Sequence, residues 1–125
     1  MVNKEFDIIV YGATGFTGQL ICEYLNNHKE ISQIKWGIAG RDKQKLEQVS
    51  KKYSISDLFV ADSFDTKSLD YLTNKTKLII SVVGPYSLYG KKLVESCVNN
   101  QCHYLDLTGE PEFVLFVENL FHNLQ

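Results

Sequence analysis

The sequence lacks several features that mark other classes of protein. Its 13 basic and 15 acidic residues leave a formal net charge of only −2. Nucleic-acid binding normally requires a strongly basic face, so we expect no nucleic-acid partner. No apolar run approaches the roughly 20 residues of a membrane-spanning helix, so no membrane span is expected either.

Cysteine is scarce, and a secretory leader is not evident. Cys22, Cys97 and Cys102 are an odd number of cysteines without the spacing of metal ligands, so no metal site is predicted. They are typical of buried or incidental thiols in a reducing compartment. The first apolar run is too short for a signal peptide and leads directly into glycines, so we expect a cytoplasmic protein.

What remains is typical of a folded, globular domain. The chain has 125 residues, of which 44% are hydrophobic and 22% are charged. These proportions permit a packed core and make disorder improbable. By length, residues 1–125 form one domain.

Short apolar segments alternate with helical patterns along the whole chain. This order indicates βαβ units, a parallel sheet and helices on both faces. We predict a Rossmann-type α/β fold with right-handed crossovers and five strands in the order 3-2-1-4-5. The predicted strands are 6–12, 35–40, 57–62, 77–84 and 103–107.

The faces of the first and last helices lead to separate expectations. In the first helix, Leu20, Ile21, Tyr24 and Leu25 share one face. The last helix runs from Pro111 to about residue 123. Its apolar residues extend beyond a single stripe, which predicts a partner surface and self-association of the chain, with Phe113, Phe116 and Phe121 near the contact. The predicted inner face is Phe113, Val117, Leu120, Phe121 and Leu124, and the additional apolar residues are Val114, Leu115 and Phe116.

A glycine-rich loop connects the first strand to the first helix. Gly12, Gly15 and Gly18 have the spacing G-x-x-G-x-x-G, a relative of the dinucleotide-binding fingerprint. The first glycine permits a tight turn, the second lets the backbone approach a pyrophosphate, and the third lets the helix pack closely on the sheet. The free N–H groups at the start of the helix favour phosphate there. The predicted cofactor-binding residues of this loop are Gly12, Thr14, Gly15, Phe16 and Thr17.

The end of the second strand favours NADP over NAD, although NAD remains possible. NAD sites usually have an acidic residue there for the ribose 2′-hydroxyl, but this sequence has Arg41. A guanidinium suits a 2′-phosphate, or it can stack on adenine. Lys43 and Lys45 add positive charge. Asp42 is an alternative ribose ligand if the loop turns differently, and a solvated role for Arg41 also stays open.

Two further strand ends are expected to border the cofactor. Asp62 ends the third strand, where it lies beside adenine in many such folds or else caps the following turn. Val83, Gly84 and Pro85 end the fourth strand, on the other side of the sheet's switch point. Ligands bind at the carboxyl ends of such strands, so these three residues are predicted to border the nicotinamide half.

Four segments together resemble the saccharopine dehydrogenase-like oxidoreductase family. They are VYGATGFTG (10–18), AGRDKQKL (39–46), VVGPYSLYG (82–90) and HYLDLTGEP (103–111). The resemblance implies an NAD(P)-dependent oxidoreductase whose relatives include trans-acting enoyl reductases of lipid assembly. It also implies a second domain that binds a small-molecule substrate. Because this chain ends at Gln125, we expect it to be the N-terminal fragment of a longer protein, with a truncated relative as the alternative, and to be inactive by itself.

No catalytic residue is predicted. Tyr71 and Lys75 match the Tyr-x-x-x-Lys pair of short-chain dehydrogenases, but they fall between the third and fourth strands, on the wrong side of the sheet. A polar cluster after the fifth strand either borders the substrate or caps the next helix. We therefore predict the NADP-binding domain of an oxidoreductase that transfers hydride; the alternative is a non-catalytic NADP-sensing module. The residues of the polar cluster are Tyr104, Asp106, Thr108 and Glu110.

Overall fold

A computed structural model describes residues 3–28, 30 and 32–122. It contains a five-stranded parallel sheet in the order β3-β2-β1-β4-β5, which confirms the predicted architecture. The strands are β1 (Phe6–Tyr11), β2 (Trp36–Gly40), β3 (Leu58–Val60), β4 (Thr76–Ser81) and β5 (His103–Asp106). The helices are α1 (Phe16–Asn27), α2 (Lys43–Tyr53), α3 (Thr66–Lys75), α4 (Tyr86–Tyr89), α5 (Lys91–Asn99) and α6 (Pro111–His122).

The central strands are apolar because both faces of the sheet are covered there. Ile9 of β1 aligns with Ile79 of β4, and neither is accessible to solvent. One face packs against α1 and α2 through residues such as Val10, Cys22 and Leu46. The other face packs against α3 and α5. Burial on both faces is what favours continuous apolar runs in parallel strands.

The inner face predicted for α1 is partly wrong. Gly18, Cys22 and Leu25 are buried, whereas Leu20 and Tyr24 are 50% and 57% exposed. The helix presents Gly18 to the loop before it, and this orientation carries Leu20 and Tyr24 away from the sheet. Only a residue without a side chain fits at that contact, so the glycine determines the buried face more than the apolar pattern does.

Helix α6 also differs from its predicted packing. Phe113 is completely buried, and Phe116, Val117 and Leu120 pack partly around it. Phe121, predicted on the inner face, is 40% exposed. The predicted Leu124 lies outside the described residues. Because α6 packs on α4 and α5, Phe113 is already occupied within the chain and is not available to a partner.

The face of β4 and β5 on the side of α1 is open among the described residues. Leu105 and Leu107 project from that face with exposed fractions of 55% and 67%, and Ile80 beside them is half-buried. Tyr104 points the opposite way, into the core. The uncovered patch therefore lies on the edge strand of the sheet. No helix in the described part of the chain is long and apolar enough to cross a membrane.

We predict that the 125-residue chain associates with itself through this open face. An exposed edge strand and a contiguous apolar patch both favour association. Sedimentation velocity at micromolar concentration is expected to show a dimer or larger species, and the double change Leu105→Lys with Leu107→Lys is expected to shift it toward monomer. Tyr71→Lys, at a similarly exposed aromatic on α3, is the control. A monomeric unmodified chain would refute this prediction.

Candidate functional site

A cleft lies at the carboxyl ends of the central strands. Its volume is about 270 Å³, and it lies where the glycine loop meets the ends of β2, β3 and β4. The structure brings part of the predicted set together in its walls: Gly12, Thr14, Arg41, Asp62 and Val83. The remaining predicted residues are exposed and adjoin these in sequence: Gly15, Phe16, Thr17, Gly84 and Pro85.

Two of the loop glycines are required by the fold itself. Gly12 has φ +91°, and a Cβ there would lie 2.6 Å from Val83 Cγ2. A Cβ on Gly18 would overlap the Gly12 carbonyl oxygen and lie 2.7 Å from the Ala13 Cα. A side chain at Gly18 would therefore displace the start of α1 from β1, and one at Gly12 would press on Val82 and Val83 after β4.

Gly15 is different, because nothing in the fold excludes a side chain there. Its φ of −77° and ψ of 173° suit any residue. The nearest atom to a Cβ would be the Gly12 carbonyl oxygen at 3.6 Å, so the space above Gly15 is open. Among the described residues no side chain caps α1 at this position, and its first turn has no acidic residue. The positive end of the helix is therefore available to an anion.

A second depression, the basic hollow, adjoins the cleft at the end of β2. It is lined by Thr14, Arg41, Asp42, Lys43, Gln44 and Lys45. The Asp42 carboxylate caps α2, because its Oδ1 accepts a hydrogen bond from the Lys45 N–H at 3.2 Å. The ion pairs among the described residues join Glu5 or Asp7 to lysines at the amino ends of the strands, and none includes Arg41. Charge in the hollow is thus predominantly positive.

Asp62 lies in the cleft wall and also shapes the turn after β3. Its Oδ1 accepts a hydrogen bond from the Phe64 N–H at 2.8 Å. The capping role that the sequence left open is therefore present. The carboxylate also faces the cleft, so the turn and the cleft share one side chain.

Sequence reasoning missed several residues of the cleft. Tyr11 and Ser63 join in a buried hydrogen bond of 2.6 Å between their hydroxyls. Burial raises the pKa of Tyr11, so the phenol stays neutral. Phe64 and Tyr89 also line the cleft, and their ring centroids lie 5.5 Å apart. The sequence around Tyr11 does not indicate that it lines a cleft, because the preceding residues of β1 are apolar on both faces of the sheet.

The polar cluster after β5 holds the chain around α4. Glu110 accepts hydrogen bonds from the Tyr86 N–H at 2.6 Å and from the Ser87 N–H and hydroxyl at 3.1 and 2.8 Å. These bonds hold the pKa of Glu110 below its usual value. Asp106 accepts from the Tyr104 hydroxyl and from the Thr108 N–H. The cluster therefore stabilises the chain after β5 and the start of α4. The sequence did not predict that Glu110 caps α4.

The Tyr-x-x-x-Lys match lies away from the cleft. Tyr71 on α3 is 55% exposed and packs near Phe59. Lys75 lies over the Tyr71 ring and pairs with Glu5 at the start of β1. The pair lies on α3 between β3 and β4, as the sequence predicted, and its contact with Glu5 places it at the opposite end of the sheet from the glycine loop.

Known structures share this fold. The complex of triphenylmethane reductase from Citrobacter with NADP(H) superimposes with a TM-score of 0.74 at 18% identity, covering 94% of this chain and 45% of that one. Apo saccharopine dehydrogenase from Saccharomyces cerevisiae superimposes with a TM-score of 0.73 at 19% identity, covering 88% of this chain and 23% of that one. Both confirm the fold.

Curated proteins are similar in sequence over nearly the whole chain. A lipid droplet localized protein of Caenorhabditis elegans is 37% identical over 89% of this chain and 28% of its own length. Mouse saccharopine dehydrogenase-like oxidoreductase is 33% identical over 96% of this chain and 31% of its own. A trans-acting enoyl reductase of Mycobacterium leprae is 35% identical over 96% and 29%. The chain thus spans less than a third of the length of these relatives.

The family match agrees with the site. Residues 8–119 match the saccharopine dehydrogenase NADP binding domain, a span that contains the glycine loop, the basic hollow and the cleft. The match supports a nicotinamide dinucleotide as the cofactor of this chain. The chain belongs to the family of saccharopine dehydrogenase NADP-binding domains.

Proposed function

We propose that this domain binds NADP and serves an oxidoreductase that transfers hydride between the nicotinamide ring and a small-molecule substrate. The observation that carries the proposal is the basic hollow beside the glycine loop, where Arg41 replaces the acidic residue typical of NAD sites.

The glycine loop is assigned to the pyrophosphate. Gly15 leaves open space above the start of α1, and Thr14 lines both the cleft and the basic hollow. A diphosphate lying over Gly15 would meet the first N–H groups of α1 and the hydroxyls of Thr14 and Thr17. Phe16 adjoins this contact, with its ring 83% exposed.

The basic hollow is assigned to the 2′-phosphate. A guanidinium binds phosphate with two parallel hydrogen bonds and a permanent charge, and Lys43 and Lys45 add to the local potential. Asp42, the alternative ligand for a ribose hydroxyl, already uses one carboxylate oxygen to cap α2. One Asp42 oxygen is left for a ribose hydroxyl, whereas Arg41, Lys43 and Lys45 all attract a 2′-phosphate, and this excess of positive charge favours NADP over NAD.

The remaining residues are assigned to the two ends of the cofactor. Asp62 borders the adenine half, and Val83, Gly84 and Pro85 border the nicotinamide half. NADP bound in this way would supply or accept the hydride, while the chain orients it. Candidate substrates contain an unsaturated bond, an imine or a carbonyl. They would be held by parts of the relatives' length that this chain does not span.

An enzymatic role is favoured over a purely regulatory NADP-sensing module. The mouse and Mycobacterium leprae relatives are named an oxidoreductase and a reductase. Their similarity includes the segments after β4 and β5, which build α4 and the Glu110 cap.

We predict that Gly15→Val abolishes dinucleotide binding without unfolding the domain. The fold has room for the side chain, but the valine would occupy the space above Gly15 that is assigned to the pyrophosphate. Isothermal titration with NADPH measures the affinity, and circular dichroism checks the fold. Gly109→Val is the matched control, because a Cβ on Gly109 would have no atom within 4 Å and the fold accepts a side chain there too. Unchanged affinity in folded Gly15→Val would contradict the loop assignment.

We predict that Arg41→Ala weakens NADPH binding by about tenfold to a hundredfold, the loss expected for a charge-assisted hydrogen bond. NADH binding is expected to change much less, because it lacks the 2′-phosphate. Parallel titrations with both cofactors make the comparison, and Lys67→Ala on α3 controls for general loss of positive charge. Equal weakening of both cofactors would assign Arg41 to adenine stacking or to the scaffold. No change in either would refute the preference for NADP.

A further inference from the structure

We propose that Phe64 is the platform on which the adenine base stacks, and that Tyr89 holds its ring in position. The proposal rests on the proposed cofactor and specifies which residues take the base. Phe64 lies in the turn after β3, and Tyr89 ends the short helix α4. Both rings line the cleft.

Phe64 is exposed in a place where exposure is unfavourable. Its side chain is 55% exposed, although a phenylalanine gains stability by leaving water. Tyr71 and Leu88 are comparably exposed, but neither lines the cleft. An exposed ring at the wall of a ligand cleft is therefore a candidate contact surface rather than an ordinary surface residue.

Phe64 is nevertheless held firmly from several directions. Its N–H donates to Asp62 Oδ1 at 2.8 Å, and its carbonyl accepts from Lys92 Nζ at 3.1 Å. Its ring packs against Tyr89 at a centroid distance of 5.5 Å and an interplanar angle of 54°. This tilted contact supports the ring without stacking over it. A ligand that used the ring would thus meet a surface that is already ordered, which reduces the entropic cost of binding.

Tyr89 is itself supported through Glu110. The Glu110 carboxylate accepts the N–H groups of Tyr86 and Ser87 and so fixes the first turn of α4. The Tyr89 N–H bonds to the Pro85 carbonyl at 3.0 Å. The position of Phe64 therefore depends on β3, α4 and α5 together. An exposed phenylalanine without a function does not require contacts from three elements.

The strand order identifies the base as adenine rather than nicotinamide. β2 and β3 lie on one side of β1, and β4 and β5 lie on the other. Arg41 follows β2 and Phe64 follows β3, so both are carried by the same half of the sheet, and the Phe64 ring reaches Tyr89 at the border of that half. A 2′-phosphate at Arg41 fixes the attached adenosine in that half. Aromatic stacking suits this task because it requires no hydrogen bonds specific to the base.

The test compares three ligands on folded variants of the chain. Titration of NADPH, 2′,5′-ADP and reduced nicotinamide mononucleotide separates the adenine half from the nicotinamide half. Phe64→Ala is expected to weaken the binding of NADPH and of 2′,5′-ADP by about tenfold each, as for other base–aromatic contacts. The affinity for the mononucleotide is expected to stay unchanged. Phe64→Tyr is expected to restore most of the affinity. Tyr71→Ala, with the same exposed fraction, is the control and is expected to have no effect.

The outcomes distinguish this proposal from the proposed function. If the unmodified chain binds neither NADPH nor 2′,5′-ADP, both proposals are wrong. If it binds them and folded Phe64→Ala binds equally well, only the stacking role is wrong. If Phe64→Ala weakens binding of the nicotinamide mononucleotide instead, the ring contacts the nicotinamide half of the cofactor and the stacking role on adenine is wrong. Urea midpoints of each variant confirm that the comparison involves folded protein.

Discussion

The close approach of α1 to the end of β1 is the contact on which the rest of the site depends. Gly18 packs directly against the backbone of Gly12 and Ala13, where a side chain would overlap main-chain atoms. This contact aims the amino end of α1 along the carboxyl edge of the sheet. It also fixes which face of α1 is buried. A favourable position for phosphate thus follows from backbone packing, before any charged side chain is considered.

The walls of the cleft are held by connections between distant parts of the chain. Tyr11 bonds Ser63 beneath the cleft, and Glu110 bonds the turn that begins α4. Each connection satisfies polar groups that would otherwise lose water without compensation. The two networks meet where the Phe64 ring contacts Tyr89, so the half of the cleft nearer β3 and the half nearer β4 support each other.

Local patterns were sufficient to predict the sheet and the glycine loop. Alternating apolar runs and helical segments determine the parallel architecture, and the spacing of Gly12, Gly15 and Gly18 needs only a strand before it and a helix after it. The buried face of α1 was not predictable from hydrophobicity, because Leu20 and Tyr24 are apolar but exposed. Helix α4 has only four residues, too few for a periodic pattern. The Glu110 cap and the Phe64–Tyr89 pair join residues more than 20 apart, so no local signal encodes them.

The central claim is that a nicotinamide dinucleotide lies across the glycine loop with its 2′-phosphate in the basic hollow. Backbone amide resonances recorded during titration with NADPH test it most directly. The account predicts shifts at residues 12–18, 40–45 and 62–64, with the 40–45 shifts much reduced when NADH is used. A depression at the opposite end of the sheet, near Trp36 and Asp57, provides the comparison. Shifts confined to that depression, or identical shifts at 40–45 with both cofactors, would contradict the account.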